Sequence, residues 1–285
     1  MSYFEFNEPL VKGAAAYDRI ASLQNKVISD SSNDILLLTV KNDKRVGLPF
    51  IFLLGTLPVL ARDKDKGLIL KVTGKIYRNM QRINIIDFYK NPGGKNSNTA
   101  EGQVDVQPDF VKIKDSTDII KFATVVKMHV PLKLTEEQSA KLTSIVGEIF
   151  QNALEHARAG TVVGGKYFKN VKNRYCFTCY DDGIGIPENV NEYLKKKNSE
   201  PLNDSDAVRW ALEKGHSTDY EADIPRGVGL SVIRDFVESS GGAIKICSGH
   251  CLYVLNPGKE EKFYNLQNRF IGTLFELDFI SNQLF

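Results

Sequence analysis

The chain lacks the marks of several common protein classes. Its 37 basic and 35 acidic residues nearly cancel, which leaves a formal net charge of +2. Nothing in that balance calls for nucleic acid or a membrane surface as a partner. Long apolar runs are missing too. The longest, Leu48 to Leu60, contains Pro49 and Pro58 and falls short of the roughly 20 residues that span a bilayer. The opening residues Met1-Ser2-Tyr3-Phe4-Glu5-Phe6-Asn7 hold neither a basic nor an apolar segment. No secretion signal is expected from them, and a cytoplasmic location is the default. Internal repeats and extended low-complexity tracts are also absent.

Cysteine is scarce. The chain has 4, in the pairs Cys176-x2-Cys179 and Cys247-x3-Cys251, with His250 beside the second. A disulfide framework is not expected in a cytosolic chain of this size. The spacing imitates a zinc site. However, Cys176 and Cys179 fall on a predicted strand, where residues three apart point to opposite faces. Buried, reduced thiols are the expectation.

What is present reads as an ordinary globular composition, 42% hydrophobic and 25% charged over 285 residues. One or two domains follow from that length. Asn91 to Gly102 is polar and rich in Gly and Asn, so it reads as part of a linker over 91–109 between parts 1–90 and 110–285. In the first part, Ala14 to about Ser29 has helical periodicity. Asp34 to Val40 is a buried strand by its continuous apolar run. Pro49 to Arg62 is a helix that Pro58 should kink. Gly67 to Val72 is another strand, and Ile76 to about Tyr89 a second helical segment. That order implies a small α/β layer.

In the second part, Thr124 to Val130 reads as the first strand, with His129 a strand residue. Thr135 and Gln138 make a capping-box pattern that starts a helix. Thr161 to Phe168 and Tyr175 to Tyr180 form a hairpin around 169–173. Asn189 to about Ile224 is a lid with a helix from Asp206 to Lys214. Ala243 to Cys247, Cys251 to Leu255, Phe263 to Gln267 and Thr273 to Phe279 complete a sheet.

The most informative stretch runs from Gly147 to Ala157. Leu142, Ile145, Val146, Ile149, Phe150, Ala153 and Leu154 recur at helical spacing and make a core face. Glu148 and Asn152 sit one turn apart on another stripe. Asn is a poor mid-helix residue. A carboxylate and a carboxamide so placed suit a hydrated Mg²⁺; a solvated polar face is the other reading. Downstream, a strand runs into Asp181-Asp182-Gly183-Ile184-Gly185. A carboxylate followed by two glycines lets the backbone approach a flat ligand. Arg226-Gly227-Val228-Gly229-Leu230 then opens a helix, whose free amides form an anion site. The three pieces ask for one ligand with a planar base, phosphates and a metal.

These motifs resemble the GHKL superfamily of ATP-binding proteins, which includes gyrase-type topoisomerases, heat-shock chaperones of the ninety-kilodalton class, histidine kinases and mismatch-repair ATPases. Glu148-x3-Asn152-Ala153 matches the N box, Asp181-x-Gly183-x-Gly185 the adenine box and Gly227-x-Gly229-Leu230 the last glycine box. Gly272-Thr273-Leu274-Phe275 matches the closing strand, and Gly215-His216-Ser217-Thr218 lies in a segment similar to the start of a sensor-kinase ATP lid. The resemblance implies an α/β (α+β sandwich) fold: a Bergerat domain at 110–285, with a mixed sheet, helices on one face and ATP between helices and lid. The part at 1–90 loosely resembles STAS-like domains, though Lys44-Arg45-Val46-Gly47 lacks the hydroxyl that is phosphorylated there. A structural or partner-docking layer is the other reading of it.

The resemblance also assigns roles. Asp181 accepts a hydrogen bond from the adenine amino group, while Asp182 is at a variable position and is expected to be solvated. Asn152 binds Mg²⁺. Glu148 positions or deprotonates water in gyrase-like members, but a similar carboxylate lacks that task in kinases. Ser217, Thr218, Arg226, Gly227, Gly229, Leu230 and Thr273 join Gly183 and Gly185 in holding ATP, and Lys214 flanks the lid. His156 reads as a fold residue. Three functions remain: an ATPase used as a conformational switch on a protein partner, an anti-sigma-type serine/threonine kinase, and a non-catalytic nucleotide-binding module. A partner would meet the first part or the lid. An oligomer is compatible with each reading.

Overall fold

The structure is a computed structural model that describes residues 1–29, 35–41, 46–90, 110–130, 134–155, 157–169, 174–213 and 230–280. The first part alternates β1 (Ser2–Phe6), α1 (Ala14–Ser29), β2 (Leu36–Val40), α2 (Leu48–Asp63) and β3 (Leu68–Val72), then α3 (Gly74–Arg82) and α4 (Ile85–Lys90). Its strands form a parallel sheet in the order β1-β2-β3. The longest apolar run of the sequence becomes α2, a helix buried almost all round, as such composition requires. Pro58 lies inside this one helix. The expected single helix from Ile76 is two helices, because Asn84 takes a left-handed φ of 59° between them, which Asn tolerates better than most residues.

The second part holds β4 (Phe110–Ile113), α5 (Ser116–His129), α6 (Glu136–Glu155), β5 (Val162–Lys169), β6 (Arg174–Asp181), α7 (Ile186–Lys196), α8 (Asp204–Leu212), α9 (Leu230–Ser239), β7 (Ala243–Leu255) and β8 (Lys262–Ile280). Its sheet is antiparallel throughout, in the order β4-β5-β6-β8-β7. The expected strand from Thr124 is the end of α5. Ile119, Phe122, Ala123 and Val126 are buried at helical spacing, and Asp115 caps the helix by accepting from the amide of Asp118. The four short strands expected after Ala243 are two long ones, joined across register shifts near Gly249. Strand β1 escaped the sequence reading altogether.

Alternation along the strands gives the sheet two apolar faces. Tyr175, Phe177 and Cys179 pack with α5, α6 and α9. Cys176 and Tyr180 instead share a core with Tyr17 and Ile20 of α1 and with much of α2. The two cysteines of Cys176-x2-Cys179 therefore point apart, and all four thiols are buried.

Helix α1 also closes an open strand edge. Strand β8 extends beyond the end of β6, where Asp181 pairs with Thr273. Side chains of α1 replace the missing strand. Asp18 accepts from the amide of Asn268 at 2.8 Å, and Asn25 donates to the carbonyl of Arg269 at 2.9 Å. Gln24 accepts from the amide of Ile271 at 3.0 Å and donates to its carbonyl at 3.3 Å. Unpaired edges invite pairing with other chains, and buried backbone groups need partners.

Candidate functional site

Helix α6 buries Leu142, Ile145, Val146, Ile149, Phe150 and Ala153 and carries Glu148 and Asn152 on another stripe. Nδ2 of Asn152 donates to Oε1 of Glu148 at 3.4 Å. That bond uses the amide nitrogen and leaves Oδ1 as the acceptor atom. A carboxamide oxygen beside a carboxylate is the hard donor set that suits Mg²⁺. Among the described residues no group of three His, Cys, Asp or Glu could hold a metal, so an ion held by Asn152 would take further ligands from phosphate and water.

Asp181 ends β6 and is 3% exposed. Its Oδ1 accepts from the amide of Gly183 at 3.0 Å. Burial pushes its pKa from 3.8 up to about 7; the amide of Gly183 opposes the shift, Asp182 adds to it, and the amide of Thr273 opposes it again. The residue pairs across the sheet with Val162 on one side and Thr273 on the other, and Thr273 pairs with Ser248. Ser248 is a site residue that sequence reasoning missed. Its hydroxyl accepts from the amide of Ile186 at 2.9 Å, donates to the carbonyl of Gly272 at 3.1 Å and lies 3.1 Å from the Thr273 hydroxyl. It thereby ties the start of α7 to β8. The available signal was a serine between Cys247 and Gly249 in a strand rich in apolar residues.

A short backbone chain joins the two motifs. The amide of Ala157 donates to the carbonyl of Asn152 at 3.2 Å, and the amide of Ile184 to the carbonyl of Ala157 at 2.9 Å. A Cβ at Gly183 would sit 2.1 Å from that same carbonyl, so only glycine allows the approach. At Gly272 the φ is +78° and a Cβ would fall 1.8 Å from the carbonyl of Asp181. Gly185 is the N-cap of α7, and Leu230 starts α9 and packs against the core. The structure thus brings Glu148, Asn152, Asp181, Gly183, Gly185 and Thr273 to one end of the sheet. Ser217, Thr218, Arg226, Gly227, Gly229, Lys214 and His156 lie outside the described residues, as do the linker 91–109, the turn at Lys44-Arg45 and the lid beyond residue 213. The described start of the lid holds α7 and α8, where one helix was expected.

Two expectations need correction or closure. Asp182, expected to be solvated, is 1% exposed, and its Oδ1 accepts from the amide of Thr161 at 2.9 Å. It follows the last strand residue on the buried side of the turn, facing the first part of the chain. The cysteine pairs form no metal cluster among the described residues. Burial pushes the Cys179 and Cys247 thiols well up, and that of Cys251 to about 11.

Comparison with known proteins bears on this arrangement. Residues 137–276 match the family described as "Histidine kinase-, DNA gyrase B-, and HSP90-like ATPase". Among solved structures, the chain is similar to the mycobacterial sensor histidine kinase MprB, at 14% identity and a TM-score of 0.31, over 60% of this chain and 95% of that one. No curated protein matches. Glu148, Asn152, Asp181, Gly183, Gly185 and Thr273 all fall inside the matched residues, and the antiparallel five-stranded sheet with its helices is consistent with the Bergerat fold. Residues 137–276 are a GHKL-type, histidine kinase-like ATPase domain.

Proposed function

We propose that the chain binds ATP with Mg²⁺ and hydrolyses it, using the nucleotide as a conformational switch on a protein partner. The observation that carries this reading is the buried Asp181, which accepts from the Gly183 amide and is bonded by no cationic side chain among the described residues, in the same domain as the Glu148–Asn152 stripe. Its carboxylate accepts from the adenine amino group, a match that guanine lacks. Gly183, with no side chain, packs its backbone against Ala157 and keeps its amide on Asp181. Asn152 offers Oδ1 to the metal, which when bound offsets phosphate charge. Glu148 orients water or takes its proton as attack begins. Gly227, Gly229 and Leu230 of the last glycine box present amides to the phosphates, and Ser217, Thr218 and Arg226 add polar contacts to ATP. Thr273 and Ser248 keep Asp181 in place. Residues 110–285 act as the nucleotide unit and 1–90 as the layer that passes its state to the partner.

A serine/threonine kinase would use the same machinery with a partner hydroxyl in place of water. Incubation with γ-labelled ATP, alone and with candidate partner proteins, separates the readings. Free phosphate supports hydrolysis and labelled protein supports transfer. Binding of ATP without either product leaves a nucleotide-binding module. Absence of ATP binding by calorimetry sinks all three.

A further inference from the structure

Asp63 is the last residue of α2 and belongs to the first part of the chain. Its carboxyl group lies within hydrogen-bonding reach of Asp182, the immediate neighbour of Asp181. In both residues Oδ2 is buried and has no donor. The surroundings are shaped for this approach. A Cβ at Gly160 would sit 3.2 Å from Oδ2 of Asp63, so glycine leaves the space. Asp182 binds Thr161 twice, accepting from its amide and donating to its carbonyl. Lys112 of β4 donates to the Thr161 hydroxyl at 3.0 Å. The exposed Arg62 lies 3.4 Å from the other Asp63 oxygen.

Two buried carboxylates face to face repel, whereas one proton between them makes a short charge-assisted hydrogen bond. Burial raises the pKa of Asp182; the Thr161 amide lowers it, Asp63 raises it further and Lys64 lowers it.

We propose that Asp63 is a positioning residue for the nucleotide site: acting through Asp182, it fixes the Gly160–Thr161 turn and the Asp181–Gly183 segment against each other, so that the first part of the chain sets the geometry adenine meets. This rests on the nucleotide reading above. The coupling route is short, because Thr161 precedes Val162, the cross-strand partner of Asp181. Gly183 in turn is wedged against Ala157.

The test compares ATP affinity by calorimetry for the full-length wild type, Asp63→Ala and Asp63→Asn between about pH 6 and about pH 8. Asp63→Ala leaves the Asp182 carboxyl without its partner and weakens binding about tenfold. Asp63→Asn supplies an amide donor to Asp182, holds affinity within about twofold, and flattens the share of the pH dependence that the acid pair contributes. Wild-type affinity and pH dependence in both variants would overturn the proposal. So would a parallel loss in both at every pH, since that is the mark of mere scaffolding. Failure of the wild type to bind ATP would strike the nucleotide reading and this inference together; the variant outcomes strike the inference alone.

Discussion

On one face of the five-stranded sheet, Val162, Asp181, Thr273 and Ser248 form a cross-strand row at the end nearest α6. On the other, Val163, Tyr180, Leu274 and Cys247 form the matching row against the first part of the chain. On the second face several buried polar side chains find partners within the protein. Gln24 donates to the Tyr180 hydroxyl at 3.2 Å, and Glu276 takes both the Tyr17 hydroxyl and Lys245. The first face leaves a buried carboxylate held by backbone amides alone. Groups whose bonds all close within the protein serve stability, whereas a desolvated charge without a counter-ion costs stability and is retained where a ligand completes it. Changes on the α6 face should therefore alter ligand behaviour, and changes on the α1 face should alter folding.

The largest expected effect tests the α6 face. Glu148→Ala should bind ATP normally and lose about 10²–10⁴-fold in turnover, the usual contribution of a positioned base. Steady-state phosphate release checks it, with calorimetry to show that binding persists. Hydrolysis that survives at the wild-type rate would remove Glu148 from the reaction.

Gln24→Ala tests the other face. Gln24 is 0% exposed and satisfies both backbone groups of Ile271. Its loss orphans an amide and a carbonyl, at about 1–3 kcal/mol each. Denaturant unfolding should show the lower midpoint, while ATP affinity stays within about twofold. A variant of normal stability that fails to bind ATP would erase the distinction between the faces.

Asp181→Asn should move the two properties in opposite directions. Losing a charge-assisted bond from adenine weakens ATP by about 1.5–3 kcal/mol. The same change removes a buried charge. Because the folded-state pKa lies at about 7, above the ordinary 3.8, the folded protein holds an extra proton between those values. Wild-type stability therefore falls as pH rises through that window, and the full cost, on the order of 4 kcal/mol, is present above it. The Asn variant should lose this share of the fall, so its melting temperature should exceed the wild type's at about pH 8 and approach it at about pH 4. Wild-type ATP affinity should rise with pH through the same range, and the variant's should not. A variant less stable than wild type at the higher pH would contradict the cost assigned to Asp181.

The contrast between the faces also explains what the sequence made legible. The α6 stripe and the glycines near Asp181 were readable because each rests on local spacing: one helical turn, or a close approach that only glycine permits. The stretch from Thr124 was expected as a strand, whereas Ile119, Phe122 and Val126 are spaced as one buried helical face. The continuity of β7 and β8 was hidden by the register shifts near Gly249. The burial of Asp182, the role of Ser248 and the edge contacts of Asp18, Gln24 and Asn25 depend on residues far away in the chain. No local pattern announces such partners. The cover that α1 and α2 give the sheet is likewise a tertiary fact, since an amphipathic helix shows that it packs but not against what.

The smallest expected effect isolates a single hydroxyl on the α1 face. Tyr17 donates to Oε2 of Glu276 at 3.0 Å in a buried setting. Its ring packs edge-on against Phe50, with centroids 5.1 Å apart. Tyr17→Phe keeps the ring and removes the bond. Glu276 retains Lys245, so the carboxylate is not left without a counter-charge, and the loss should stay near 1–2 kcal/mol rather than reach the cost of an orphaned buried charge. Urea unfolding should show a lower midpoint at an unchanged slope, the sign of a stability change without a change in the surface exposed. ATP affinity should not move, because Glu276 and Asp181 lie on opposite faces of the sheet. A measurable fall in ATP affinity would mean that the faces communicate through β8 as well as through the turn at Asp182, and the division between them would have to be redrawn.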